Sequence, residues 1–164
     1  MALRVLCCHL AWLAAAATAP AAAEPLDAAQ RAAVLEAAGL KPRDGGTFAI
    51  EGCASVLKPQ LESIALEAGR PAGVLVYLGP SRCFAETQGG NVALLAVDAN
   101  GRWSMPMAFV PGVEVVRQPT SNAGWPDLGV ANPGGCMPVY RHDGTRYARI
   151  GQKALQPGGC QFRE

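Results

Sequence analysis

Four cysteines spread along most of the chain are the feature that most limits the folds open to it: Cys53, Cys83, Cys136 and Cys160. An even number of cysteines in a short exported chain indicates a disulfide framework. Three pairings are open, and we favour Cys53–Cys83 with Cys136–Cys160 because these loops are short and local. Each closed loop of about 25–30 residues would stabilise the fold by roughly 3 kcal/mol. The absence of Cys-x-x-Cys spacing disfavours a metal or redox role.

Residues 1–23 predict that the chain is exported. Arg4 precedes an apolar run over about residues 5–17, and small residues then lead to Ala21-Ala22-Ala23. This order is typical of a cleaved secretory signal peptide, and the run is too short and alanine-rich for a membrane span. The two earlier cysteines lie within this leader. We expect one compact domain over residues 24–164, periplasmic or secreted.

The charge balance disfavours two classes of partner. Once Arg4 is removed with the leader, thirteen basic and thirteen acidic residues remain. Nucleic acids and anionic membranes both require a basic patch, so we predict neither as a partner. The sequence leaves the oligomeric state open.

The predicted fold is mainly β (α+β), with one N-terminal helix. The helix covers about residues 26–39, with Asp27 as its cap and Gly39 near its end. Its apolar stripe consists of Leu26, Val34, Leu35 and Ala38.

The β-rich part covers about residues 46–150, followed by a tail at 151–164. Short antiparallel strands are predicted at 47–51, 73–78, 91–97, 102–109 and 113–117, separated by turn signals such as DANG at 98–101. Alternation along 102–109 places four apolar side chains on one face of that strand: Trp103, Met105, Met107 and Phe109.

Residues 124–147 predict alternating turns and strands. The segment begins with a turn in which Pro126 takes the first central position and Asp127 bonds nearby amides. A second turn at 132–135 leads to an extended run at 136–141. His142-Asp143-Gly144 is predicted to form a hairpin turn, and residues 145–150 form the returning strand.

The adjacent His142 and Asp143 are the most obvious candidates for catalysis. Neighbours on an extended chain point to opposite sides, whereas a base–carboxylate couple requires facing side chains. We therefore interpret His142 as a surface residue beside the turn and predict no catalytic residue.

The scattered carboxylates are a second candidate for chemistry: Glu62, Glu67, Asp98, Asp127 and Asp143. Their spacing is not diagnostic, and turns account for Asp98 and Asp143. No P-loop, dinucleotide-binding glycine pattern, G-x-S-x-G or H-E-x-x-H motif occurs.

The order of motifs resembles that of small exported proteobacterial proteins of unassigned function. The central part is similar to a degenerate form of the calcium-loop strands of FG-GAP/VCBS (integrin-like) repeats. The matching pieces are the four cysteines, Gly69-Arg70-Pro71 before GVLVY, Gly101-Arg102-Trp103, Gly124-Trp125-Pro126-Asp127, Cys136-Met137-Pro138-Val139 and residues 141–147. The resemblance implies an exported domain and supplies no activity.

Two departures from this family pattern affect function. Residues 66–72 contain one glutamate where the family has an acidic loop, so we expect no calcium site, because calcium needs several converging oxygens. His142 stands where relatives carry tryptophan, which indicates packing or surface contact rather than proton transfer.

We predict an exported, non-enzymatic binding or interaction module without a cofactor, whose partner is a protein or a cell-wall glycan. Its contact surface would consist of exposed Trp125, Arg141, Arg146 and Tyr147. One alternative is a periplasmic copper-handling protein that uses thioethers and an imidazole, from Met105, Met107, Met137 and His142. The other is a cell-wall-associated hydrolase that uses the scattered carboxylates.

Overall fold

The computed structural model describes residues 25–66, 72–84 and 89–160. Within these ranges the chain forms one α-helix, a single 3₁₀ turn and ten strands. The helix is α1 (Ala28–Ala37), and the strands are β1 (Leu40–Arg43), β2 (Thr47–Ile50), β3 (Gln60–Ile64), β4 (Gly73–Leu78), β5 (Asn91–Val97), β6 (Trp103–Pro111), β7 (Glu114–Asn122), β8 (Trp125–Ala131), β9 (Cys136–His142) and β10 (Tyr147–Ala154). The predicted signal peptide and the loop compared with calcium loops fall mainly outside the described residues.

Helix α1 begins at a reciprocal cap. The Asp27 carboxylate accepts the Gln30 N–H at 2.8 Å, and the Gln30 side chain accepts the Asp27 N–H at 3.0 Å. This pair satisfies two of the amides that a helix start leaves without partners. The predicted helix and its cap are confirmed, although the helix is shorter at each end than predicted. Val34 and Leu35 of the predicted stripe are buried.

The strands form one hairpin and two four-stranded antiparallel sheets. Strands β1 and β2 pair with each other, β3–β6 form the first sheet, and β7–β10 form the second, with neighbours following chain order. The predicted class is confirmed: a mainly β fold with one helix and antiparallel sheets. Strands β1 and β3 were not predicted, because both are short and largely polar.

The first sheet is the central layer of the core. One of its faces packs against α1 and β1 through Val74, Val76, Leu78, Ala93 and Leu95. Its other face packs against the second sheet through Leu75, Val92, Leu94 and Ala96. Strands β4 and β5 are therefore buried on both faces, which explains why their sequences are continuous apolar runs.

Strand β6 departs from the predicted alternation. Pairing between β5 and β6 shifts twice, on either side of the Leu94–Met107 pair. Met107 consequently lies in the core between the sheets, whereas Trp103 and Phe109 pack towards α1. The prediction that these side chains share one face was wrong, because each bulge changes the face of the sheet on which the following side chains lie.

Residues 123–131 correct the predicted turn at Trp125-Pro126-Asp127. The turn lies at Ala123 and Gly124, whose φ angles are +52° and +74°, and Trp125–Ala131 is a fully buried strand. Adjacent positive φ values match the right-handed twist of a two-residue hairpin. The predicted tail also begins too early, because β10 continues to Ala154.

Two disulfides, Cys53–Cys83 and Cys136–Cys160, have the pairing that we favoured from loop length. Their Cα atoms are 5.5 Å and 4.7 Å apart, within the range that a disulfide bridges. They indicate an oxidising, extracytoplasmic environment. In the described part of the chain, no helix combines the length and apolar character needed to cross a membrane.

Candidate binding site

Two of the four residues predicted to form the contact surface are buried, and the other two reach the solvent. Trp125 and Tyr147 are each 8% exposed, so the expectation that both rings are exposed was wrong. The Trp125 ring stacks on His142 with centroids 4.4 Å apart, and the edge of Tyr147 meets both rings. The Tyr147 hydroxyl donates to the Pro126 carbonyl at 2.7 Å, which satisfies its polar end. These aromatic rings therefore fill the core.

Arg141 reaches the surface but is held by a buried carboxylate. Its Nε and Nη2 donate to the two Asp127 oxygens at 3.0 and 2.6 Å, and the Thr120 hydroxyl donates to Asp127 at 2.5 Å. The Asp127 side chain is 1% exposed, whereas that of Arg141 is 42% exposed. The hydrogen bonds from Arg141 are the main cause that lowers the pKa of Asp127. The main role of Arg141 in this geometry is to donate hydrogen bonds to the buried Asp127 carboxylate.

A second polar contact crosses the same face of the second sheet. Lys153 Nζ on β10 donates to Gln118 Oε1 on β7 at 2.6 Å, so the two outer strands are joined over the central pair. Gly129 lies beneath this contact, and a Cβ there would collide with Met137 and Gln118. The polar side chains described on this face thus hydrogen-bond each other. Arg146, in the exposed β9–β10 turn, is the remaining residue of the predicted surface.

His142 and Asp143 have separate partners. The His142 side chain is 2% exposed, which corrects the prediction of a surface residue, and its Nδ1 accepts the Gly144 N–H at 3.1 Å. The Asp143 carboxylate accepts the N–H groups of Thr145 and Arg146. These amide bonds lower the pKa of Asp143. The Asp143 carboxylate therefore bonds the amides of its own turn, and the His142 Nδ1 bonds the amide of Gly144.

The residues of the copper alternative lie in different surroundings. Met107 is in the core between the sheets, and Met105 is 37% exposed on the same strand. Met137 is buried beside Gly129, and His142 stacks on Trp125. Among the described residues, no group of three or more His, Cys, Asp or Glu side chains could hold a metal ion.

The predicted carboxylates are also dispersed. Asp98 accepts the N–H groups of Asn100 and Arg102 in the β5–β6 turn, as its sequence context predicts. These two amides lower the pKa of Asp98. Asp127 is held by Arg141, and Glu67 lies outside the described residues. Glu62 lines a cavity.

That cavity is a cleft of about 550 Å³ where β3 and β4 meet the β6–β7 connection. We call it the Tyr77 cleft. The described side chains that line it are Gln60, Leu61, Glu62, Tyr77, Leu78, Val113 and Glu114. Gln60 pairs with Tyr77, and Glu62 lies two residues further along β3, so all three project from the same face of the first sheet.

Glycine backbone forms the other wall of the Tyr77 cleft. Gly79, Gly89 and Gly112 all line it. A Cβ on Gly112 would collide with the Val130 side chain, and the Gly112 N–H donates to the Gly90 carbonyl at 3.0 Å. The absence of a side chain at Gly112 therefore lets the β6–β7 connection lie close to Val130 of the second sheet.

Tyr77 is the most perturbed group in the cleft. Its pKa is raised to about 12. Burial is the largest cause, followed by the negative charge of Glu62, and the charge of Glu114 contributes less. Among the smaller causes, the Val115 backbone lowers this pKa and the Glu62 side chain raises it. At neutral pH the phenol is therefore protonated. Perturbed groups that converge in a cavity are typical of binding sites.

The sequence did not reveal this site. Tyr77 lies in an apolar run that predicts core, and Gln60 belongs to a strand that was not predicted. Glu62 was named only as one of several carboxylates. A signal was present in the polar residues of QLESI at 60–64 beside the tyrosine of GVLVYL at 73–78, but it requires the strand register to be known.

A second depression lies between α1 and β1 and has a volume of about 650 Å³. Ala32, Leu35 and Leu40 give it a mainly apolar lining, with Arg31 and Lys41 among its other residues. The raised pKa of the Tyr77 phenol distinguishes the Tyr77 cleft from this groove. Comparisons with protein-family models, with curated proteins and with solved structures find no match for the chain.

Proposed function

We propose that this protein is an exported, non-enzymatic module of a Gram-negative periplasm that binds a cell-wall glycan in the Tyr77 cleft. The observation that carries the proposal is that Gln60, Glu62, Tyr77 and Glu114 line one cavity, in which both carboxylates act electrostatically on the Tyr77 phenol. The resemblance to small exported proteobacterial proteins agrees with the location, and the disulfides support an exported protein.

The chemistry of the cleft suits a hydroxyl-rich ligand. Ionised carboxylates accept hydrogen bonds, the Gln60 amide both donates and accepts, and a protonated phenol does the same. A pyranose has hydroxyl groups around its rim and an apolar C–H face that can lie on the half-buried Tyr77 ring. A cavity that combines these polar side chains with an apolar lining and a single ring therefore fits a sugar better than a wholly apolar ligand.

Two carboxylates in one cleft also raise the hydrolase alternative. Glycoside cleavage needs a carboxylic acid whose raised pKa keeps it protonated, and burial is the usual cause of such a shift. Glu62 and Glu114 are both solvent-exposed. This exposure supports binding rather than cleavage.

The test is isothermal titration of the folded, disulfide-bonded protein with short β-1,4-linked glucosamine-based oligosaccharides, followed by mass spectrometry of the sugar. We expect saturable binding and an uncleaved oligosaccharide. A Gln60→Ala/Tyr77→Phe variant removes the amide and the phenol oxygen while it keeps the ring, and we expect it to bind at least about tenfold more weakly.

Tyr140→Phe is the matched control, because Tyr140 is also half-buried but lies outside the cleft. It should bind like the unmodified protein. Undiminished binding by the Gln60→Ala/Tyr77→Phe variant would remove the cleft from the proposal. Shortened oligosaccharides would favour the hydrolase instead.

A further inference from the structure

The Tyr77 cleft has an excess of negative charge. The charged side chains among its described lining residues, Glu62 and Glu114, are both carboxylates, and both act electrostatically on Tyr77. None of the described residues that line the cleft is a lysine, arginine or histidine. Among the described residues, no ion pair within 4.0 Å joins either carboxylate to a cation.

This charge exceeds what a neutral sugar requires. Glutamine alone could supply acceptors for hydroxyl groups, whereas two carboxylates around one aromatic ring repel each other. An ammonium group bound between them would relieve this repulsion. The face of the Tyr77 ring would add a cation–π attraction, and the protonated phenol would keep the ring from adding a third negative charge.

We infer that the glycan bound in the Tyr77 cleft carries free amino groups, so that an ammonium lies between Glu62 and Glu114 beside the Tyr77 ring. The inference rests on the proposed glycan-binding function and specifies which class of glycan is bound. The preferred ligand is thus a polymer of hexosamine from which N-acetyl groups have been removed. An N-acetylated polymer presents the same hydroxyl groups without the charge.

The experiment compares two probes: a β-1,4-linked glucosamine tetramer and its fully N-acetylated counterpart. Titrations are performed at about pH 5.5, where the amino groups of the tetramer are protonated. We expect the amino tetramer to bind about tenfold more tightly at low ionic strength. The preference should decrease with added salt, because the carboxylates are exposed and salt screens their charge.

The variant Glu62→Gln/Glu114→Gln keeps the shape and hydrogen-bonding capacity of the cleft and removes both charges. It should bind the two tetramers equally. Glu36→Gln/Glu51→Gln is the matched control, because it removes the same net charge from exposed positions outside the cleft. This control should keep the preference, and denaturation curves of both variants verify that they are folded.

The outcomes separate the inference from the proposed function. Equal binding of both tetramers by the unmodified protein, or a preference that persists in Glu62→Gln/Glu114→Gln, would overturn the amino-glycan inference and leave a glycan-binding cleft. Binding of neither tetramer would overturn both. A preference that only the cleft variant loses would support both.

Discussion

Removal of the Arg141 guanidinium should destabilise the fold by leaving a charge buried. Asp127 accepts hydrogen bonds from Arg141 Nε at 3.0 Å, from Nη2 at 2.6 Å and from the Thr120 hydroxyl at 2.5 Å. In Arg141→Ala, Thr120 is the one hydrogen-bond donor left, among the described residues, to a carboxylate that is 1% exposed in the native protein. The substitution therefore tests how much of the second sheet depends on this ion pair.

The expected loss can be estimated from burial. Removing one partner of a buried ion pair costs about 3–5 kcal/mol. Arg141 is 42% exposed, so water can approach Asp127 once the guanidinium is gone, and we expect the lower end, about 3 kcal/mol. For a domain of this size that loss lowers Tm by roughly 10 °C. Arg146→Ala, in the exposed turn, should change the unfolding free energy by less than about 0.5 kcal/mol.

The loss should also depend on pH. In the unmodified protein the pKa of Asp127 is lowered, so its stabilising contribution is present above the unfolded value of about 3.9 and is lost as pH falls through the folded value. Without Arg141 the main cause of this lowering is removed, so the pKa of Asp127 should rise towards its unfolded value. The stabilisation that ionised Asp127 provides above its unfolded pKa should then be reduced in the variant. The difference in unfolding free energy should therefore be larger at pH 7 than at about pH 3.5.

The assay is urea unfolding of the oxidised protein at both pH values, with Asp127→Asn/Arg141→Ala as the second variant. A neutral amide removes the buried charge, so this double variant should be more stable at pH 7 than Arg141→Ala alone. A loss below about 1 kcal/mol at pH 7, or one that is equal at the two pH values, would refute the reasoning.

Three further substitutions test other parts of the fold. Gly129→Ala should cost about 1–3 kcal/mol through overpacking, whereas Gly151→Ala, whose Cβ meets nothing, should not, as thermal denaturation can show. Loss of the Cys53–Cys83 disulfide should cost about 3–4 kcal/mol in urea titrations, from the entropy of a loop of 30 residues. Asp27→Ala should cost about 1 kcal/mol and leave the sheets intact by circular dichroism.

The sequence predicted most accurately the strands that are buried on both faces. Strands β4 and β5 have the predicted bounds, because burial on both faces requires unbroken apolar runs. Strand β3 was missed because it is an edge strand with a partly exposed, polar sequence. Strand β6 was found, but its bulges depend on pairing with β5 and leave no local signature.

Strand β8 shows how turn propensity can mislead. Pro126 predicts a turn because proline cannot donate to a ladder. In the structure it lies opposite Ser121, just past the register shift between β7 and β8, where the regular ladder is already interrupted. Its carbonyl accepts the Tyr147 hydroxyl, and Asp127 beside it meets Arg141 rather than local amides. These partners are distant in sequence, so local propensity could not identify them.

The same limit explains why the predicted and candidate sites differ. Trp125 lies in a polar, turn-rich segment that predicts surface, yet β8 has neighbours on both sides and its tryptophan is covered by His142 and Tyr147. Tyr77 lies in an apolar run that predicts core, yet β4 is adjacent to the edge strand β3. Leu75, two residues before it, is 1% exposed beneath the second sheet, whereas Tyr77 is half-buried at the margin of that contact. Composition determines which segments are apolar, but the margin of the sheet contact determines which aromatic ring can meet a ligand.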